Sequence, residues 1–206
     1  MQDDRAVADP RRDFFDRLAG NWDQEEPSTA AITAGLAQHA ARLGLRPGDA
    51  LLEVGCGTGK TTGWLARQVA PGGRVLAVDF APAMIARAQA KALPAEFRRL
   101  DICAETPERA GFDVALCFHS FPHFRDQPAA LRHLAAALRP GGRLVVMHLG
   151  GSARINAFHA KLAGAVRHDL LPQGEAVWAP LLAAAGLHLA HLVDDDDLFF
   201  LVATLA

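Results

Sequence analysis

The chain has 206 residues, 50% of them hydrophobic and 21% charged, with a formal net charge of −2, 9 His and 3 Cys. That length suits one domain, 1–206, with a core of its own and no need for disulfides or a structural metal. The balanced charge, without a basic run, argues against nucleic acid, and no apolar stretch is long enough for membrane insertion; the charged start, MQDDRAVADPRRDFF, is unlike a signal peptide, so a cytoplasmic setting is expected.

In chain order, Phe14, Phe15, Leu18 and Trp22 recur at helical spacing and predict a short amphipathic helix over 13–22. Ile32, Leu36, Ala40 and Leu43 continue that period in a second helix, which Gly44 and Pro47–Gly48 end. From Ala50 short apolar runs alternate with helical stretches. The runs are 50–55, 74–79, 96–101, 112–118 and 143–148, and helices are predicted at 60–69, 82–91 and 127–138. Strands that are apolar throughout and alternate with helices imply a parallel sheet covered on both faces. Right-handed connections then give a doubly wound, Rossmann-like α/β fold.

After His148 the alternation stops. A helix with Ile155, Phe158, Leu162 and Val166 is followed by the loop LLPQG and a helix with Val177, Leu181 and Ala185. Two apolar runs, 187–193 and 198–205, flank Asp194–Asp197, and a link that short makes them antiparallel. The three thiols, Cys56, Cys103 and Cys117, lie in apolar runs and read as buried, reduced fillers, with neither Cys56 nor Cys117 placed as a nucleophile.

The segment ALLEVGCGTGKTT joins a strand to a helix through a glycine-rich turn, which brings backbone N–H groups close to a ligand. A phosphate-binding loop would need glycine where Val54 stands, and a dinucleotide fingerprint would need it where Lys60 stands. What remains is Glu53, Gly55, Gly57 and Gly59 at alternate positions. This pattern resembles motif I of class I S-adenosylmethionine-dependent methyltransferases. Asp79 ends the second strand twenty residues past Gly59, where a carboxylate can accept from two ribose hydroxyls. Asp101–Ile102 at the end of the third strand, the turn in LRPGGRLVV and the closing hairpin follow in the family's order.

The resemblance covers roughly 13–206. It implies a seven-stranded sheet of order 3-2-1-4-5-7-6 and S-adenosylmethionine as cofactor. The residues expected around that cofactor are Glu53, Gly55, Cys56, Gly57, Gly59, Asp79, Phe80, Met84, Asp101, Ile102, Cys117 and Phe118. The segment FFDRLAGNWD is similar to the entry segment of small-molecule methyltransferases, including quinone-biosynthesis C-methyltransferases, and there Trp22 would help to cover the cofactor. Residues 1–45 would form a helical cap and 149–172 an insertion acting as a lid over the acceptor. The expected assembly is a monomer or homodimer. An NAD-dependent oxidoreductase and a cofactor-binding protein without turnover are the alternatives.

Four histidines are expected at the acceptor site: His119 and His123 after the fourth strand, His148 ending the fifth, and His159 one helical turn beyond Asn156. Imidazole is poised to move protons near neutral pH, so at least one is expected to act as base or orienting donor, with Asn156 as its partner. His168 and Asp169 follow shortly after. The remaining histidines, His39, His133, His188 and His191, read as surface residues. No metal is expected, since no HxH or HExxH spacing occurs. The segment 149–170 mixes Phe158, Leu162, Val166 and Leu170 with polar groups and suits a small, mostly apolar acceptor methylated at O, N or C.

Overall fold

The structure is a computed structural model and describes residues 9–24 and 27–206. The apolar runs form β1 (Ala50–Val54), β2 (Arg74–Asp79), β3 (Glu96–Arg99), β4 (Phe112–Phe118), β5 (Leu138–His148), β6 (Leu187–Asp194) and β7 (Phe199–Leu205). They join one sheet of order β3-β2-β1-β4-β5-β7-β6. The first five strands are parallel, and β7 runs antiparallel to both β5 and β6. This is the expected topology. The winding reverses between β1 and β4, and the carboxyl ends of those central strands frame a crevice.

The helices are α1 (Pro10–Leu18), α2 (Thr29–Gln38), α3 (Ala40–Leu43), α4 (Thr62–Val69), α5 (Pro82–Gln89), α6 (Gln127–Ala137), α7 (Ser152–His159) and α8 (Glu175–Ala183). Successive strand residues point to opposite faces, so each strand feeds two cores. Leu51, Val75, Leu116 and Val145 pack against Leu36, Leu43, Leu65 and Ile85 on one face. Leu52, Leu76, Cys117 and Val146 pack against Leu131, Leu134, Trp178 and Leu182 on the other. Every residue of β4 is buried, which is why that strand reads as an unbroken apolar run.

Several boundaries differ from expectation: α7 stops at His159 and leaves Leu162 and Val166 beyond it, and β3 stops at Arg99. Helix α1 starts earlier, because Asp9 accepts from the Arg11 N–H at 2.9 Å and Pro10 fills the first helical position. It ends at Leu18, so Trp22 sits in the following turn and not on the helix. The second helix is two helices, broken at His39, whose backbone (φ −108°, ψ 14°) leaves the helical range. Strand β5 begins five residues early, since Leu138 pairs with Phe112 before the register shifts and resumes at Arg143 and Val114. No helix among the described residues is long and apolar enough to cross a membrane.

Candidate active site

The ends of β1, β2, β4 and β5 open into a cavity of about 590 Å³. That is the size of a small-molecule site. Its floor comes from the strand ends and the glycine loop. Its far wall comes from α1 and the turn after it (Phe14, Phe15, Leu18, Trp22) and from the stretch after β5 (Ile155, Phe158, His159, Leu162).

The glycine loop is bare for a physical reason. Gly55 has φ +74°, and a Cβ there would lie 2.4 Å from the Ser120 Cβ. Only hydrogen fits between the β1 and β4 turns. Gly57 (φ +53°) donates its N–H to Asp79 Oδ2 at 2.9 Å, and a Cβ on it would stand 3.4 Å from Trp22 Nε1. Its backbone therefore runs between the indole and a buried carboxylate. Asp79 also accepts from the Ala81 N–H at 2.9 Å, and burial pushes its carboxyl up to about 6. Each carboxylate oxygen keeps a second lone pair for a ligand hydroxyl. A cradle without side chains, facing such a carboxylate, fits a nucleoside with paired hydroxyls.

Trp22, Gly55, Cys56, Gly57, Asp79, Phe80, Met84, Asp101, Ile102 and Phe118 all line the cavity, whereas Glu53, Gly59 and Cys117 stand back from it. Glu53 accepts from Thr61 Oγ1 and Thr62 Oγ1 at 2.5 and 2.6 Å. It ties the loop to the start of α4, and burial pushes its carboxyl up to about 7. A Cβ on Gly59 would press on Leu93 and Phe97. Cys117 is part of the core under α6, where burial pushes its thiol up. Burial likewise holds the Cys56 thiol well above its usual value, which leaves it inert. Asp101 accepts from the Cys103 N–H at 2.8 Å and pairs with Arg125 at 2.8 Å.

All four expected histidines reach the cavity. His119 holds a left-handed backbone (φ +54°) just past β4, uncommon for a residue with a Cβ. Its Nε2 accepts from the Leu149 N–H at 3.2 Å, so its proton is on Nδ1; burial takes its pKa down to about 4. His148 packs at 5.0 Å from His119, and neither of its buried ring nitrogens has a partner among the described residues. Burial keeps it neutral as well. His159 Nδ1 donates to the Asp169 carbonyl at 2.7 Å, and burial, then His123, lowers its pKa. His123 Nδ1 meets Asp169 Oδ2 at 2.7 Å.

Asn156 is not available to an acceptor. Its amide makes both hydrogen bonds of a backbone pair with Leu171, at 2.9 and 2.8 Å, and so fixes the chain beyond α7. The residues not foreseen are Arg11, Ser120, Arg125 and, as a binding partner, Asp169. Among the described residues no group of three or more His, Cys, Asp or Glu side chains is arranged to hold a metal ion.

The family described as "Methyltransferase domain" matches residues 51–142. A ubiquinone biosynthesis O-methyltransferase of Xylella fastidiosa is 31% identical, over 98% of this chain and 95% of its own length. The chain is a class I S-adenosylmethionine-dependent methyltransferase. The methyltransferase is also 39% identical to a 37.1 kDa protein of a Streptomyces fradiae transposon, over 50% of this chain but only 31% of that one. The fold matches that of DhpI bound to S-adenosylhomocysteine, with a TM-score of 0.72 at 22% identity, over 96% of each chain. Its cofactor is S-adenosylmethionine, and the oxidoreductase alternative falls. The Xylella relative is named for O-methylation.

Proposed function

We propose that the methyltransferase transfers methyl to a hydroxyl group of a small, partly apolar acceptor. One observation carries this reading. Four imidazoles line the same cavity as the glycine loop, together with the apolar side chains of Phe14, Phe15, Leu18, Phe158 and Leu162. A hydroxyl must lose its proton to become a good nucleophile, and a positioned neutral imidazole is the side chain suited to take it. The O-methyltransferase name of the Xylella relative supports the choice of oxygen over nitrogen or carbon.

Bound S-adenosylmethionine supplies an electrophilic methyl group on a sulfonium sulfur. The chain's own part is to hold and align. Asp79 accepts from ribose hydroxyls, the Gly55–Gly57 backbone lies against the ligand, and Trp22 and Met84 cover it. Of the expected cap over 1–45, residues 9–24 and 27–45 cover the site, whereas 1–8, 25 and 26 lie outside the described residues; 149–172 serves as the lid that sets acceptor choice. Closing the site excludes water and makes reaction depend on alignment.

Calorimetry with S-adenosylmethionine and S-adenosylhomocysteine tests the first half, with affinity in the micromolar range expected. Release of S-adenosylhomocysteine across a panel of phenols, quinols and aliphatic alcohols, against amines and carbon acids, tests the second. Turnover confined to amines or carbon acids would overturn the oxygen assignment.

A further inference from the structure

Asp169 holds two rings at once. Its Oδ2 meets His123 Nδ1 at 2.7 Å, and its backbone carbonyl meets His159 Nδ1 at 2.7 Å. Its Oδ1 accepts from Arg11 Nε at 2.8 Å and Nη2 at 2.6 Å. The side chain is fully buried, and although burial pushes the carboxyl up, the His123 and Arg11 hydrogen bonds outweigh it and hold it below its usual range. An ionised carboxylate and a carbonyl can only accept. Both rings therefore carry a proton on Nδ1, and in the neutral form of either ring the lone pair is on Nε2. Neither Nε2 has a hydrogen-bond partner among the described residues, and the ring centres lie 4.9 Å apart on the cavity wall.

We propose that Asp169 is the positioning residue of an Arg11–Asp169–His123 relay, which makes His123 Nε2 the base that takes the acceptor's hydroxyl proton. The proposal rests on the cavity being the acceptor site. His159, fixed in the same tautomer by the same residue, accepts a second hydrogen bond and orients the acceptor. The choice among the four rings is geometric. Leu149 occupies Nε2 of His119, His148 has no carboxylate, and His159 meets only a neutral carbonyl. Among the four, His123 alone meets a carboxylate, which fixes the tautomer and orientation of its ring. In the step the O–H bond breaks and an N–H bond forms at Nε2. The electron pair left on oxygen would form the bond to the methyl carbon as the methyl–sulfur bond breaks, its electron pair staying on the sulfur of the departing S-adenosylhomocysteine, and the imidazolium afterwards gives its proton to water.

The test is Asp169→Asn, read by ¹⁵N NMR of the imidazoles at neutral pH and by turnover on the acceptor found above. Arg11 can only donate, so it keeps the amide oxygen, and the amide NH₂ must then face His123 Nδ1. The His123 proton should move to Nε2 and turnover should fall ~10²–10⁴-fold, while S-adenosylhomocysteine affinity is kept. Adding Arg11→Leu frees the amide to rotate; the Nδ1–H form should return and turnover recover by about tenfold or more. An ion pair of purely structural use predicts the reverse, with the double variant worse than the single one. Wild-type His123 found as the Nε2–H tautomer would overturn the relay without any variant, as would a shifted tautomer with unchanged turnover. Wild type with both rings as Nδ1–H but no methyl transfer to any acceptor would instead sink the function and spare the relay.

Discussion

Asp79 and Glu53 are two buried carboxylates close to each other with different work. Asp79 faces the cavity with acceptor capacity to spare, so Asp79→Ala should remove two charge-assisted hydrogen bonds to a ribose, each worth ~1.5–3 kcal/mol. Calorimetry should show S-adenosylhomocysteine binding weakened at least tenfold, with the fold kept. Since its carboxyl sits at about 6, wild-type affinity should also decline as pH drops through that value and the acceptor is protonated. Glu53 has no such ligand role in the geometry; its folded value of about 7 lies above the ordinary 4.5. The folded chain thus holds a proton that the unfolded chain gives up, and stability falls as pH rises from about 4.5 through 7. Glu53→Gln can still bond both threonines and should flatten that decline, by on the order of 1–3 kcal/mol in chemical denaturation. An equally steep decline in the variant would mean that the burden lies elsewhere. Asp79 was legible in the sequence because it stands at a fixed step beyond a contiguous glycine motif. Asp169 was not, because its partner Arg11 is 158 residues away and only the fold brings them together.

At the scale of elements, α1 is the least anchored piece of the site. It contributes no fully buried residue of its own. Polar ties hold it: Asp16 Oδ1 accepts from the Ala83 N–H at 2.9 Å at the start of α5, Arg87 donates to the carbonyls of Ala19 and Gly20, and Arg11 reaches Asp169. Phe15 adds ring contacts to Trp22 and Phe80, but a helix without a fully buried side chain opens locally at lower cost than the core. Amide exchange over 10–18 should therefore run far faster than in β4 and slow when S-adenosylhomocysteine binds. Asp16→Ala, which removes a bond of the helix-capping kind worth ~0.5–2 kcal/mol, should speed it further without moving the core. Unchanged exchange in that variant would mean that the apolar face alone seats the helix. The central strands β1, β2 and β4 were legible because their burial on both faces leaves continuous apolar runs. The start of β5 was not, since its first residues pair with β4 before a register shift that the turn residues Pro140–Gly142 conceal. That Trp22 lies off the helix was not legible, because helical spacing continues in the sequence past Leu18, where α1 ends.

For the whole molecule, the cavity lies where β1 and β4 part and is closed by chain segments from both ends of the fold. Asp9, Phe15 and Trp22 come from before β1, and Phe158 and Val166 from after β5. The sheet topology was readable from alternating runs and a short acidic turn, but closure was not, as it depends on how α1 and the stretch after β5 meet. That meeting makes ligand binding a property of the folded whole: an unfolded chain brings neither the glycine loop to Asp79 nor α1 to the far wall. A ligand held only by the native state stabilises it by about 2.7 kcal/mol at a concentration of 100 times its Kd. For a chain of this size that corresponds to a rise in Tm of roughly 5–10 °C. S-adenosylhomocysteine should produce such a rise at saturation, and NAD at the same concentration should produce almost none. The rise should shrink in Asp79→Ala in step with the loss of affinity, since both read one binding free energy. A full shift with NAD, or a shift with S-adenosylhomocysteine that ignores Asp79, would place the ligand outside the cradle of Gly55, Gly57 and Trp22.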